Sequence, residues 1–351
     1  MSIIIFFVVL VALITFHELG HFIVAKLSGI RVDEFGLGLP PRIWGTMWRG
    51  TLYSINYLPF GGFVKIYGED SSGLNLPDAS DSFVAKNKLT QSAVVLAGIF
   101  FNLVLAFFAV WLAISIGVPM PTNMLPNHID LYTNKQVIIT AVVPGSSAKE
   151  AGVVAGSKVV SISSPSEQVV VTDSDDIINF AKRYPNVALE LKTDGSTYSV
   201  TPSPYIGIEL DTVGDIKLPV LDALIVTPRV SYYLFIGTMH GLKSFIVGLF
   251  SGMGLSGVVG PIGIASLVGE ASSVGFGNLL VLVAALSMSL AVINLVPFPA
   301  LDGGRFAIIC IEGIIRRPIN SKVVNYINSI GFALLILLML VISYRDIANL
   351  L

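Results

Sequence analysis

Apolar residues fall into long blocks along this chain, separated by polar stretches. From Ser2 to Ile14 no charged residue occurs, and after a short ionisable interruption the apolar character resumes at Phe22-Ile23-Val24-Ala25 before Lys26. That length predicts a spanning helix over 1–26. A polar section occupies 27–91. Within it Gly36-Leu37-Gly38-Leu39-Pro40-Pro41 reads as turn-rich, Tyr53 to Tyr57 alternates as a strand does, and Pro59 to Ile66 reads as a turn into a second strand. A second apolar block, 92–118, predicts a second span carrying Gly98 and Asn102.

From 119 to 228 the composition becomes that of a soluble domain. Strands are expected at Gln136–Val142 and Ser157–Ser161, and a helix at Asp173–Tyr184 opened by Thr172 or Asp173. A hairpin over Val187–Leu191 and Ser196–Val200 would turn at Asp194-Gly195. Residues 229–276 are apolar but interrupted by His240, Lys243 and glycines, which predicts amphipathic helices on the outer membrane surface. A third span, 277–304, breaks at Pro297-Phe298-Pro299; a loop over 305–328 and a fourth span over 329–345 complete the chain. The last span is expected to return the C-terminus to the outer side.

Composition agrees with this pattern. Of 351 residues 54% are hydrophobic and only 13% charged, where soluble domains carry about 25%, and the mean hydropathy is +0.80. The expected fold class is an α-helical polytopic membrane protein with four transmembrane helices. A cytoplasm-side β-hairpin and one inserted extracytoplasmic domain complete it. A net charge of -2 offers no basic field for nucleic acid and excludes that class of partner. The single cysteine, Cys310, excludes a disulfide framework and reads as a buried, inert thiol. The first span has no basic region ahead of it and no small-residue cleavage pattern behind it, so it is expected to stay attached. Arg31, Arg42, Arg49, Lys65, Lys86 and Lys88 after the first span place 27–91 on the cytoplasmic side, with both termini extracytoplasmic.

The interruption in the first span is His17-Glu18-Leu19-Gly20-His21. Ionisable residues are costly in a membrane helix and need a partner. Residues four apart share a helix face, so His17 and His21 can direct ring nitrogens at one ion, while Glu18 is close enough to take the proton of an attacking water. This is the H-E-x-x-H pattern of zinc hydrolases. Asp302 follows the proline break on the same membrane side as His17 and His21, where it can be a third ligand that leaves the fourth zinc position open, or a helix-end residue that caps backbone amides. Gly61-Gly62-Phe63-Val64 would form a strand able to hold an extended peptide by main-chain hydrogen bonds, or an ordinary hairpin. Asn102, a lone amide in hydrocarbon, must bond another helix, the backbone or a functional site.

On these residues the chain resembles the site-2 protease family of intramembrane zinc metalloproteases, in its bacterial regulated-intramembrane-proteolysis branch. The resemblance rests on His17–His21, on Gly98 with Asn102, and on Asn294 through Gly304, which is similar to the family's N-x-x-P-x-P-x-L-D-G signature. Val143 through Ile162 resembles a bacterial PDZ domain, with Tyr205–Glu209 as the strand bordering its peptide groove. The resemblance implies Zn2+ held by His17, His21 and Asp302, with Glu18 as general base. Asn294, Gly61, Gly62, Phe63, Val64 and Asn102 would lie on the substrate side. It implies a bacterial cytoplasmic membrane location in the lipid bilayer. Expected substrates are single-span proteins of the anti-sigma-factor or remnant-signal-peptide kind, and a peptide C-terminus would meet the PDZ-like domain. Relatives with two tandem PDZ domains are similar, whereas 119–228 has room for one. A catalytically silent, PDZ-bearing membrane scaffold is the alternative. A metal transporter is a poorer one, since spans two and four carry almost no ionisable residue.

Overall fold

The computed structural model describes residues 2–69, 80–251 and 259–350. Residues 252–258, within the stretch expected to form surface helices, and 70–79, within the polar section, lie outside the described residues. In chain order the elements are α1 (Ser2–Leu27), β1 (Val32–Trp48), β2 (Thr51–Ile66), α2 (Lys88–Ile116), β3 (Val118–Pro121), β4 (Tyr132–Val142), α3 (Ser147–Glu150), β5 (Lys158–Ser163), β6 (Gln168–Val170) and α4 (Ser174–Arg183). Then follow β7 (Leu189–Thr193), β8 (Thr197–Val200), β9 (Ile208–Ile216), α5 (Val220–Ser251), α6 (Pro261–Val274), α7 (Phe276–Leu295), α8 (Asp302–Ile315) and α9 (Ser321–Leu350). They divide into two compact units, one of Met1–Trp111 with Ser231–Leu351, the other of Leu112–Val230.

In the first unit α1 and α2 run antiparallel. His21 on α1 meets Val94 on α2, and His17 meets Asn102. Their approach is close because the contact residues are small: a methyl on Gly20 would overlap the Ala97 carbonyl. Apolar lipid provides little drive for helices to associate, so close backbone packing has to supply it. Helix α7 runs parallel to α1. Its early residues Leu279, Leu282 and Val283 cluster with Val9 and Leu13, Ser287 reaches Asn102, and its far end leads to Asp302 beside His17.

Strands β1 and β2 form an antiparallel pair joined by Arg49-Gly50, both at positive φ (47° and 77°), as a two-residue primed turn requires. The pair doubles back on itself. Phe35 registers with both Val64 and Tyr53, Gly36 with both Phe63 and Ser54, and Leu37 with both Gly62 and Ile55. The turn expected over Gly36–Pro41 is therefore strand, with register shifts between Leu37 and Arg42 taking up the irregularity. Glycine is needed at 36 because the Phe63 ring lies over it.

Beyond α7 the chain breaks at Pro297-Phe298-Pro299, turns through Ala300 at φ 71°, and starts α8 at Asp302. The first turn of α8 folds tightly onto the break: a methyl on Gly303 would overlap the Val296 carbonyl, and one on Gly304 the Phe298 carbonyl. The loop expected over 305–328 is thus helical through Ile315, with Ile309 buried against Ala25, Val94 and Val95. Cys310, one position round from Ile309, is exposed rather than buried. Within and ahead of 229–276, Val220–Ser251 is one continuous helix. Five helices among the described residues, α5 included, are long and apolar enough to cross a membrane by length and composition. Helices tolerate the glycines, His240 and Lys243 that had suggested breaks.

The second unit carries a seven-stranded sheet in the order β3-β9-β4-β5-β7-β8, with β6 pairing β5. Its core gathers Ile139, Ile162, Ile177, Phe180, Leu189 and Leu191. The expected hairpin at Asp194-Gly195 is β7–β8. The expected helix is α4, whose Asp173 N-cap forms a capping box with Asp176. Hydrogen bonds from the Thr172 amide, above all, and from the Asp173 amide hold the Asp176 carboxyl below its ordinary range. The strand expected at Tyr205–Glu209 begins later, at Ile208, and runs to Ile216.

Candidate metal centre

Two helices bring three ligand-type atoms together. His17 and His21 are one helical turn apart on α1, their rings edge to face with centroids 4.9 Å apart. Asp302 is the first residue of α8. His17 Nε2 lies 3.0 Å and His21 Nε2 3.4 Å from Asp302 Oδ2, and the two ring nitrogens are 3.3 Å apart. The side chains are only 10%, 11% and 22% exposed, so water does little to screen them.

Zinc fits this set. Bonds of about 2.0–2.2 Å at tetrahedral angles put ligand atoms about 3.3–3.5 Å from each other, and the observed separations of 3.0, 3.3 and 3.4 Å are close to that. Asp302 Oδ2 is buried, and no hydrogen bond of acceptable geometry engages it. Three lone-pair-bearing atoms converging in a shielded place call for a cation.

Glu18 lines a cavity of about 180 Å3 with His17, His21, Asp302, Val64 and Arg305. At roughly 30 Å3 per water this holds several waters or one peptide unit. A second, open cavity of about 1220 Å3 shares Glu69, Asp302 and Arg305 with it and extends along α8 to Arg316 and Arg317. Strand β2 passes beside α1 here. Gly61, at φ 90°, packs on Ile14, and Gly62 lies beside Thr15 and Glu18. Residues 62–65 pair on one side with 34–37, and Val64 faces the smaller cavity.

Two further sequence candidates do not line the cavity. Asn294 is half-buried in the last turn of α7 and is not part of the cavity wall. Asn102, counted with the substrate side, is fully buried with its amide 3.1 Å from His17 Nδ1, which leaves it no surface to offer a substrate.

Other residues at the site were not singled out from the sequence. The Val94 carbonyl lies 2.8 Å from His21 Nδ1, a backbone role that no residue type signals. Arg305 pairs with the Glu69 carboxylate, bonds the Glu69 carbonyl at 2.9 Å and stands over the Phe83 ring at 5.2 Å. Its spacing of three from Asp302 at a helix start, which puts both on one face, was the available signal.

The family model for peptidase family M50 matches residues 5–338 of the chain. A protein of Clostridium perfringens (strain 13 / Type A) named as a zinc metalloprotease is 36% identical over 347 residues, covering 96% of this chain and 95% of that one. The zinc metalloprotease RasP of Geobacillus kaustophilus is 27% identical, with 99% and 97% covered. The regulator of sigma-W protease RasP of Bacillus subtilis is 26% identical, with 99% of each chain covered.

Proposed function

We propose, from the premise that this chain belongs to peptidase family M50 and is a zinc metalloprotease of the site-2 type, that it cuts single-span membrane proteins at a peptide bond within or near the membrane segment. The observation that carries this is the placement of His17, Glu18 and His21 inside a 26-residue apolar helix, with Asp302 brought to them from α8. His17, His21 and Asp302 hold the zinc ion, which when bound supplies Lewis acidity toward a water and a carbonyl. Glu18 takes the proton of the attacking water and passes it to the leaving amide nitrogen.

A substrate helix hides its amides, so it must unwind locally before attack. Residues 62–65 pair on one side with 34–37 and Gly62 lies beside Glu18, so strand addition along the other edge would hold the unwound segment near the base. The wider cavity bordering Asp302 and Arg305 supports a water supply from the cytoplasmic side. Substrates of the anti-sigma-factor or remnant-signal-peptide kind suit this reading, and one relative's name ties it to sigma-W regulation.

Helix directions support the orientation given above. Since α1 and α7 run parallel and α2 runs back between them, α5 and α6 together make no net crossing. Helix α6, of 14 residues, spans about 21 Å, short of a hydrocarbon core of about 30 Å. Four crossings would then leave both termini on one side, which is the outside when 27–91 faces the cytoplasm, with the inserted unit there as a PDZ-like domain that takes a peptide end or screens bulky substrates.

The test uses single-span reporters with and without a folded outer domain, in membranes holding the protein, with products located by mass spectrometry. Cuts within the membrane segment, faster for the truncated reporter, are expected. Cuts confined to segments outside the membrane would contradict the proposal.

A further inference from the structure

Both ligand histidines are gripped from behind by one helix. On α2, Val94, Gly98 and Asn102 are spaced by four and share a face. The Val94 carbonyl lies 2.8 Å from His21 Nδ1, and the Asn102 amide lies 3.1 Å from His17 Nδ1. Gly98 between them leaves room for both rings, since a methyl there would come within 2.7 Å of His17 Cε1 and overlap His21 Nε2.

A carbonyl can only accept. Val94 therefore fixes the His21 proton on Nδ1 and leaves the Nε2 lone pair directed toward Asp302. Asn102 is different, because a side-chain amide offers both a donor and an acceptor, exchanged by a half-turn. With Nδ2 toward the ring, the neutral His17 carries its proton on Nε2, aimed at the place a metal ion needs. In that orientation Asn102 Oδ1 is also buried with no hydrogen-bond partner. Turned the other way, Oδ1 accepts from His17 Nδ1–H, and Nε2 presents a lone pair beside that of His21. Ser287 Oγ donates to the Asn102 backbone carbonyl at 2.8 Å, a contact that holds the helix turn without touching the amide.

We propose that Asn102 is a positioning residue for zinc: its side-chain oxygen holds the His17 proton on Nδ1 and so sets the tautomer and ring orientation in which Nε2 binds the ion. This rests on the zinc-site reading above.

The test measures zinc affinity of the full-length chain in detergent by competition with a chelating dye, beside thermal melting of each variant. Asn102→Leu should weaken zinc by about 10- to 100-fold, the usual scale for losing a partner behind a ligand histidine. Asn102→Asp keeps an acceptor and should stay within about threefold of the wild type. Ser287→Ala should bind zinc as the wild type does. Should Asn102→Leu fail to fold, Asn102→Ala takes its place with the same expected loss. Wild-type affinity in the Leu or Ala variant would overturn the proposal. So would equal losses in the Asp and Leu variants when both melt as the wild type. A wild-type chain that binds no more zinc than His21→Ala would instead overturn the metal site itself, and this proposal with it.

Discussion

In the inserted unit, Leu112–Val230, the interior is made of large apolar side chains, among them Ile139, Ile162, Phe180, Leu189 and Leu191. Around His17 and His21 the buried positions on α1 and α2 include the small or polar Gly20, Ala25, Ala97, Gly98 and Asn102 among the larger Leu13, Val94, Val95 and Ile99. The contrast follows from solvent. A unit folded against water gains about 25 cal/mol for each Å2 of apolar surface it buries, so bulk is an asset. Helices in lipid gain little from burying more hydrocarbon, so they associate by bringing backbones and polar groups close. One region is specified by volume, the other by the absence of volume at chosen points, and the two should respond oppositely to substitution.

The largest effect is expected from adding one methyl where bulk is excluded. Gly98→Ala forces a carbon into the space of His21 Nε2 and His17 Cε1. Zinc affinity should fall by about 100-fold, the upper end of the range for losing a ligand's support, and wild-type affinity would break the comparison. Removing bulk in the other unit comes next. Leu191, fully buried on β7, changed to alanine should cost about 2–5 kcal/mol. The loss should show as faster hydrogen exchange in β5, β7 and β8 with zinc content unchanged.

The smallest effect concerns a cap. Asp176→Ala removes the acceptor for the Thr172 and Asp173 amides and should cost about 1 kcal/mol at α4. Its carboxyl is depressed in the folded chain, so its contribution is complete above the ordinary value of 3.8 and fades as pH falls through and below it. Exchange protection of α4 amides in the wild type should decline over that acid range, while Asp176→Asn should show no such step.

The same contrast explains what the sequence made legible. The paired histidines of α1 could be placed because a spacing of four is a helical property, and the hairpin at Asp194-Gly195 because its turn chemistry is local. Asp302 was readable because two prolines stop α7 directly ahead of it. The strand over Gly36–Pro41 reads as a turn from sequence, since its glycines and prolines fit a close approach to two segments of β2 only once the register is known. The grip of α2 on the histidines was also hidden, because one half of it is a backbone carbonyl and the other an amide that reads equally well as interhelical glue. Arg305 carries no signal of its partner, because Glu69 is far from it in sequence. The glycines, His240 and Lys243 of α5 read as interruptions, yet a helix accommodates them.

The central claim is that the buried cluster on α1 and α8 is a working peptidase centre with Glu18 as its base. It is tested most directly by comparing the wild-type chain with Glu18→Gln in membranes carrying a cleavable single-span reporter, with zinc per chain measured on both. The account predicts equal zinc and a loss of cleavage of about 10²- to 10⁴-fold in the variant. Cleavage at the wild-type rate by Glu18→Gln would contradict it.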